Sequence, residues 1–134
     1  MKKITKKWLE YAKADLEAAE VLVRAGKTSY SYQLAVLHCH QAIEKILKTI
    51  TVDNEKLPKR THNLIFLLEE TDLEIPERFR EYIEELNPHY QPSRYPDIFY
   101  KKINSRYTHK KSEYHLAKTK ELFSWLEKKI ILKK

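Results

Sequence analysis

The chain has one glycine, one cysteine and no apolar run long enough to cross a bilayer. Each shortage removes a class of protein. A β-rich fold of 134 residues needs several glycines for its turns, so one glycine favours an all-helical fold. A glycine-rich phosphate loop or a nucleophile elbow needs close backbone approach at several positions, which one glycine cannot supply. An anion bound here must therefore be held by Arg and Lys side chains, with help from a helix N-terminus. The single cysteine, Cys39, excludes an intrachain disulfide and fits a reducing compartment. Its mid-helix apolar setting marks a small buried hydrophobe rather than a reactive thiol. No run approaches the roughly 18 apolar residues of a membrane span, and the opening MKKITKKW lacks a signal-peptide core. A cytoplasmic protein with no membrane partner is expected.

Hydrophobic residues make up 42% of the chain and charged residues 34%, which suits one domain with one core over residues 1–134. The formal net charge of +7 points to an anionic partner. Its distribution says more than its sum. Glu69 to Glu85 carries eight acids against Arg78 and Arg80, whereas Arg94, Lys101, Lys102, Arg106, Lys110 and Lys111 face Asp97 alone.

The stretch Ser29 to Thr51 contains neither Gly nor Pro. At 3.6 residues per turn, Tyr32, Ala35, Val36, Cys39, Ile43, Ile46, Leu47 and Ile50 share a broad face, with a mixed stripe of Leu37, Gln41, Glu44 and Lys48 opposite. Such a helix belongs at the centre, touched from more than one side. Residues 4 to 25 form a preceding helix with Ile4, Trp8, Tyr11, Ala12, Ala19, Leu22 and Val23 on one face and Gly26 as its stop. The short break at Ala25 to Thr28 makes the two helices antiparallel neighbours. Asp15 falls within the apolar stripe, where a carboxylate needs a partner or belongs to a cleft. Thr61 caps a third helix, His62 to Thr71, with Leu64, Leu67 and Leu68 inward. Pro76 opens a fourth at its first position, with Phe79, Ile83 and Leu86 inward. The last helix runs from about Ser112 to Leu132 and buries Leu116, Thr119, Leu122, Phe123, Leu126 and Ile130. The expected architecture is an all-α, antiparallel up-and-down bundle of about five helices: two long N-terminal, two short, one long C-terminal.

Between Pro88 and Lys111 the pattern breaks: three prolines, no helical period, and aromatics (Tyr90, Tyr95, Phe99, Tyr100, Tyr107) alternating with basic residues. A loop of this length in a compact domain usually has a function. Arg94 offers a planar fork for phosphate, Tyr90, Tyr95 and Phe99 offer stacking faces, and Lys101, Lys102, Arg106, Lys110 and Lys111 suit a polyanion backbone. Equally, Tyr95 and Phe99 could plug the bundle while Arg94 pairs with Asp97. His38 and His40 point about 200 degrees apart on their helix and cannot chelate one ion. His40 shares a face with Glu44, but two ligands make no metal site, and these read as ordinary surface or interface histidines.

Three motifs in order, HCHQAIEKILKTI, RTHNLIFLLEE and SRYPD, resemble the HEPN family of small helical domains. The matching residues are Gln41, Ala42, Glu44, Lys45, Leu47 and Lys48; then Thr61, His62 and Leu64; then Arg94, Tyr95, Pro96 and Asp97. The first helix, YAKADLEAAEVLV, is similar to the family's opening. The resemblance implies a bundle that usually dimerises and a link to nucleotides or RNA. It also implies a minimal nucleotidyltransferase as partner in a toxin–antitoxin-like pair. No cofactor is expected. Several branches of the family are metal-independent ribonucleases using an Arg, four to six residues, then a His. Arg94 has no His in that window; Arg106 is followed by His109 too soon and by His115 too late.

Three readings follow. A dimeric nucleotide- or RNA-binding module would use Arg94, Tyr95, Asp97, Lys101 and Lys102, with Asp15, Glu44 and His62 as supports or as mutually satisfied core groups. A metal-independent endoribonuclease would use Arg106 with His109 or His115. A plain interaction protein would use the Leu34–Leu37 edge of the central helix or the loop as a dimer face. The first predicts that Arg94→Ala abolishes retention of labelled RNA in a filter-binding assay; retention equal to that of the unmutated protein would contradict it.

Overall fold

The computed structural model describes residues 1–91 and 107–132. Among them the order is α1 (Lys3–Ala25), α2 (Ser29–Asp53), α3 (Leu64–Glu70), α4 (Glu77–Leu86), a 3-10 turn (Asn87–His89) and α5 (His109–Leu132), with no strand. The long segments α1, α2 and α5 pack on one another; the short α3 closes one side of α2, and α4 packs on α3 and α5.

The central helix is buried on almost every side. Val36, Cys39, Ile43, Ile46 and Leu47 are fully inaccessible, and so are Ala42 and His40 on other faces. Burying each large aliphatic side chain contributes roughly 1.5–3 kcal/mol, so α2 supplies much of the core's driving force. Thr28 caps its start, its Oγ1 accepting from the Ser31 N–H at 3.2 Å.

Helix α1 lies antiparallel to α2: Thr5 near its start donates to Asp53 at the end of α2, while Tyr32 at the start of α2 donates to the Gly26 carbonyl. The buried stripe of α1 is Thr5, Leu9, Ala12, Asp15, Ala19 and Val23. Ile4 and Tyr11, expected inward, are exposed. The helix is rotated because α2 presents a polar partner for Asp15, and satisfying a carboxylate outweighs burying two residues at the edge of the stripe.

Gly26 ends α1 for a different reason from the one its residue type suggests. Its φ of −69° and ψ of 146° are extended, not left-handed. Space is what demands glycine: a Cβ there would lie 2.3 Å from the Leu22 carbonyl oxygen and 2.5 Å from Ser31 Cβ. The left-handed positions are instead filled by Glu55 and Asp72, in the turns after α2 and α3.

Asn63, rather than Thr61, caps α3, its Oδ1 accepting from the N–H groups of Ile65 and Phe66. Asn holds this post better than Thr and starts the helix at Leu64 instead of His62. Pro76 sits in the cap position of α4 with an extended ψ of 145°, so the helix begins one residue later than expected. Leu64, Leu67, Leu68, Phe79, Ile83 and Leu86 all enter the core. Helix α5 begins at His109, three residues before the expected Ser112, because Thr108 Oγ1 accepts from the Lys111 N–H and its carbonyl from the Ser112 N–H. Its Thr119, Leu122, Phe123, Leu126 and Ile130 are buried.

Replacing Gly26 with Ala forces its Cβ against a backbone carbonyl that cannot rotate away. The expected cost is about 1–3 kcal/mol, read as a lower midpoint in thermal unfolding. An unchanged midpoint would show that the α1–α2 connection yields freely.

Candidate functional site

Of the residues singled out in the sequence, Arg94, Tyr95, Asp97, Lys101, Lys102 and Arg106 lie outside the described residues. The remaining five fall into separate places. His115 lines a pocket between α4 and α5; His109 does not. Asp15 lies between α1 and α2. Glu44 and His62 meet beside α3.

The pocket between α4 and α5 has a volume of about 570 Å³. Helix packing builds its floor. Tyr82 on the inner face of α4 reaches α5, where its hydroxyl meets His115 Nδ1 at 3.0 Å, the His115 carbonyl at 3.1 Å and Thr119 Oγ1 at 2.9 Å. A phenol has one proton. Donating it to the His115 carbonyl leaves the oxygen to accept from Thr119 and from Nδ1–H, which assigns the lone pair of His115 to Nε2. His89, at the end of the 3-10 turn, stands edge-on to His115 with ring centroids 5.0 Å apart, and its Nδ1 meets the Tyr107 hydroxyl at 2.8 Å. Burial, His89 and Lys111 together push His115 down to about 4, and burial also lowers His89. Both rings are neutral at physiological pH.

The rim is charged. Lys110 and Lys111 stand in the first turn of α5, which has no acidic residue to meet the partial positive charge of the helix start. Across the mouth, Tyr114 donates to both carboxylate oxygens of Glu85 at 2.6 and 2.8 Å, and that hydrogen bond raises its hydroxyl to about 12. Sequence periodicity does not reveal His89 or Tyr82 as site residues. The one cue is the Asn87-Pro88 stop, which turns the chain straight after α4.

His109 points elsewhere. Its ring stands edge-on to Tyr32 at 5.3 Å and its Nδ1 lies 3.3 Å from Glu113. The Arg106 pairing expected at either histidine therefore divides: only His115 faces a pocket.

Asp15 accepts from His38 Nδ1 at 2.8 Å and from Lys45 Nζ at 2.5 Å. Burial alone would raise its carboxyl, but those two hydrogen bonds and the Lys45 charge outweigh it, and its pKa is lowered. Glu44 accepts from Lys48 Nζ at 2.9 Å, and its other oxygen lies 2.9 Å from His62 Nδ1. Asp15 and Glu44 thus belong to two distinct polar groups on different sides of α2. His40, read from spacing as a surface or interface histidine, is fully buried. Neither of its ring nitrogens completes a hydrogen bond among the described residues: Glu44 Oε1 is 3.8 Å from Nδ1, and the Asn87 backbone lies near without closing one. Burial pushes it down to about 4. Periodicity places His40 off the main apolar face; it is covered because α3 and the 3-10 turn close over that side. Among the described residues, no three His, Cys, Asp or Glu are grouped to hold a metal ion, and no helix is long and apolar enough to cross a membrane.

Residues 5–130 match the family model of the HEPN domain. The chain belongs to the HEPN family. Two solved structures agree with that membership in shape. The crystal structure of TT1696 from Thermus thermophilus aligns with a TM-score of 0.80 at 27% identity, over 93% of this chain and 97% of that one. That of ST0689, an archaeal HEPN homologue, aligns at 0.74 and 27% identity, over 97% and 99%. No curated protein matches the chain. In this HEPN domain the α4–α5 pocket joins titratable rings to lysines at its rim.

The two buried histidines set a pH dependence. Both have folded pKa values near 4 against an ordinary 6.5, so the unfolded chain takes up protons first as pH falls. Their stabilising contribution is complete above pH 6.5 and is lost progressively towards pH 4, by about 3 kcal/mol for each ring. Thermal unfolding at pH 7 and pH 4.5 should show a steep loss in the unmutated protein and a shallower one in His40→Leu. Equal slopes would mean that His40 is not held neutral.

Proposed function

We propose that this HEPN protein binds a nucleotide or RNA in the α4–α5 pocket, as a homodimer acting beside a minimal nucleotidyltransferase in a toxin–antitoxin-like pair. The single observation that carries the ligand is the arrangement at the start of α5. Two lysines and an acid-free first turn open onto a pocket walled by Tyr107, Tyr114 and two neutral imidazoles. Cations at a helix N-terminus are unfavourable by roughly 0.3–1 kcal/mol each, and a phosphate there reverses the sign of that term. The flat rings supply stacking surface for a base. The homodimer and the nucleotidyltransferase rest on family membership. Tyr30 and Leu34, exposed on the outer edge of α2, are the apolar residues available to a dimer face there.

A second reading, metal-independent RNA cleavage, is favoured by the His89–His115 pair, whose rings lie 5.0 Å apart beside Lys111. In it the Nε2 of neutral His115 takes the proton of the attacking 2′-hydroxyl, and the 2′-oxygen bonds to phosphorus as the P–O5′ bond breaks to leave a 2′,3′-cyclic phosphate. The departing 5′-oxygen takes a proton from water, and the lysines meet the charge that builds on the phosphate.

Binding of a labelled single-stranded RNA, titrated at several salt concentrations, tests both. Lys110→Ala and Lys111→Ala should each weaken binding by about tenfold and lower the salt slope by about one. Unchanged binding in the double variant would remove this pocket as the phosphate site. If the protein also cleaves RNA in chelator, His115→Ala should abolish cleavage and His109→Ala should leave it intact; the reverse would move the chemistry out of the pocket.

A further inference from the structure

The 87–91 turn has a second concavity on its other side. Consecutive residues divide between the two: His89 lines the α4–α5 pocket and Tyr90 lines a cleft of about 390 Å³ beside α3. Asn63, Asn87 and Gln91 line the cleft; the amide oxygens of Asn63 and Asn87 are held by the N–H groups at the start of α3, which fixes that wall. The cleft's volume lies within the range of small-molecule sites.

The inner wall has an unusual construction. The Tyr90 ring lies flat on His62, with centroids 3.9 Å apart and planes 13° from parallel, while His40 stands 5.2 Å away at 52°. The Tyr90 ring thus stacks on one imidazole and touches a second at an angle. Around it, the polar groups are incompletely used. The nitrogens of His40 are fully buried with no hydrogen bond among the described residues, a state that costs roughly 1–3 kcal/mol and calls for an explanation. The Glu44 carboxylate lies 3.8 Å from the nearer of them. Tyr90 fills this slot in shape, yet leaves both His40 nitrogens unsatisfied. A nucleobase is equally flat and carries donors and acceptors along its edge, so it would stack on His62 and supply the bonds that the Tyr90 ring does not.

We propose that this cleft is a second nucleobase subsite, in which Tyr90 holds the place on His62, beside His40, that an unpaired base takes when a strand binds. The inference rests on reading the α4–α5 pocket as the phosphate and nucleotide site. It makes the ligand a single strand that crosses the 87–91 turn and uses both sides, rather than a mononucleotide. Such a strand has its phosphate at Lys110 and Lys111 and its neighbouring base on His62.

Two probes separate the subsites: a fluorescein-labelled ten-nucleotide single-stranded RNA read by anisotropy, and unlabelled AMP and UMP read by calorimetry. Losing a stacking base costs roughly 5- to 100-fold in affinity. His62→Ala is expected to weaken the RNA by that factor and to leave AMP and UMP unchanged. His62→Phe, which keeps the flat face and gives up the Glu44 hydrogen bond, should restore RNA affinity, so a folding defect is not mistaken for a lost base site. Tyr90→Ala should bind the RNA more tightly, because the occupant of the slot is gone. If His62→Ala and Tyr90→Ala leave RNA binding unchanged while Lys111→Ala weakens it, the second subsite is wrong and the pocket reading stands. Equal weakening of RNA and mononucleotide by His62→Ala also overturns the second subsite. If the unmutated protein binds neither probe, both readings fall.

Discussion

The structure depends on how a helix buried on nearly all sides satisfies its polar groups. Helix α2 carries Cys39, His40, Glu44 and Thr49 into the interior, and each must find a partner there or be destabilising. Thr49 turns back to the Lys45 carbonyl. Cys39 meets Thr119 of α5, while burial pushes its thiol up to about 12, which leaves it inert as a nucleophile. Glu44 recruits Lys48 and His62. These polar links sit at fixed heights along α2 and so decide where α3 and α5 rest against it. Apolar burial supplies the energy of collapse; the polar contacts select one arrangement among many of similar area.

The same constraint explains where the concavities are. Helix α4 meets α5 through the Tyr82 hydroxyl, the Tyr114–Glu85 bond and the Phe79–Trp125 ring contact, which leaves a gap beyond Tyr82 that His89, His115 and Tyr107 border without filling. Helix α3 has only seven residues, so it covers one flank of α2 and leaves the His62 side open to Tyr90. The pocket and the cleft both exist because short elements finish a job that the long ones cannot, and both face the turn at 87–91.

Much of this can be read from the sequence, and the failures share a cause. Periodicity identifies the helices and most of the buried residues on α2, α3, α4 and α5, because those stripes are apolar and their spacing is regular. It errs on α1, where Asp15 rather than Ile4 and Tyr11 decides which face turns inward, since a hydrogen-bonding requirement is invisible to a count of apolar positions. The caps at Asn63 and Pro76 each move a boundary by one or two residues through local chemistry. The site is less legible. His115 stands out only through a motif that it does not fit, while His89 carries no signal and His40 reads as surface. Their roles come from α4 meeting α5 and from α3 closing over α2, contacts between segments far apart in the chain. The basic loop motif at Arg94 to Asp97 falls outside the described residues.

The Asp15 carboxylate grips two residues of α2 that are two helical turns apart, His38 and Lys45, one with each oxygen. Sliding α1 along α2 by a single turn, about 5.4 Å, would break both bonds and strand a buried charge. The pair therefore behaves as a rigid plate with no piston movement available to it. On the opposite side α4 and α5 touch through hydroxyls and ring edges, contacts that can exchange partners without exposing the core.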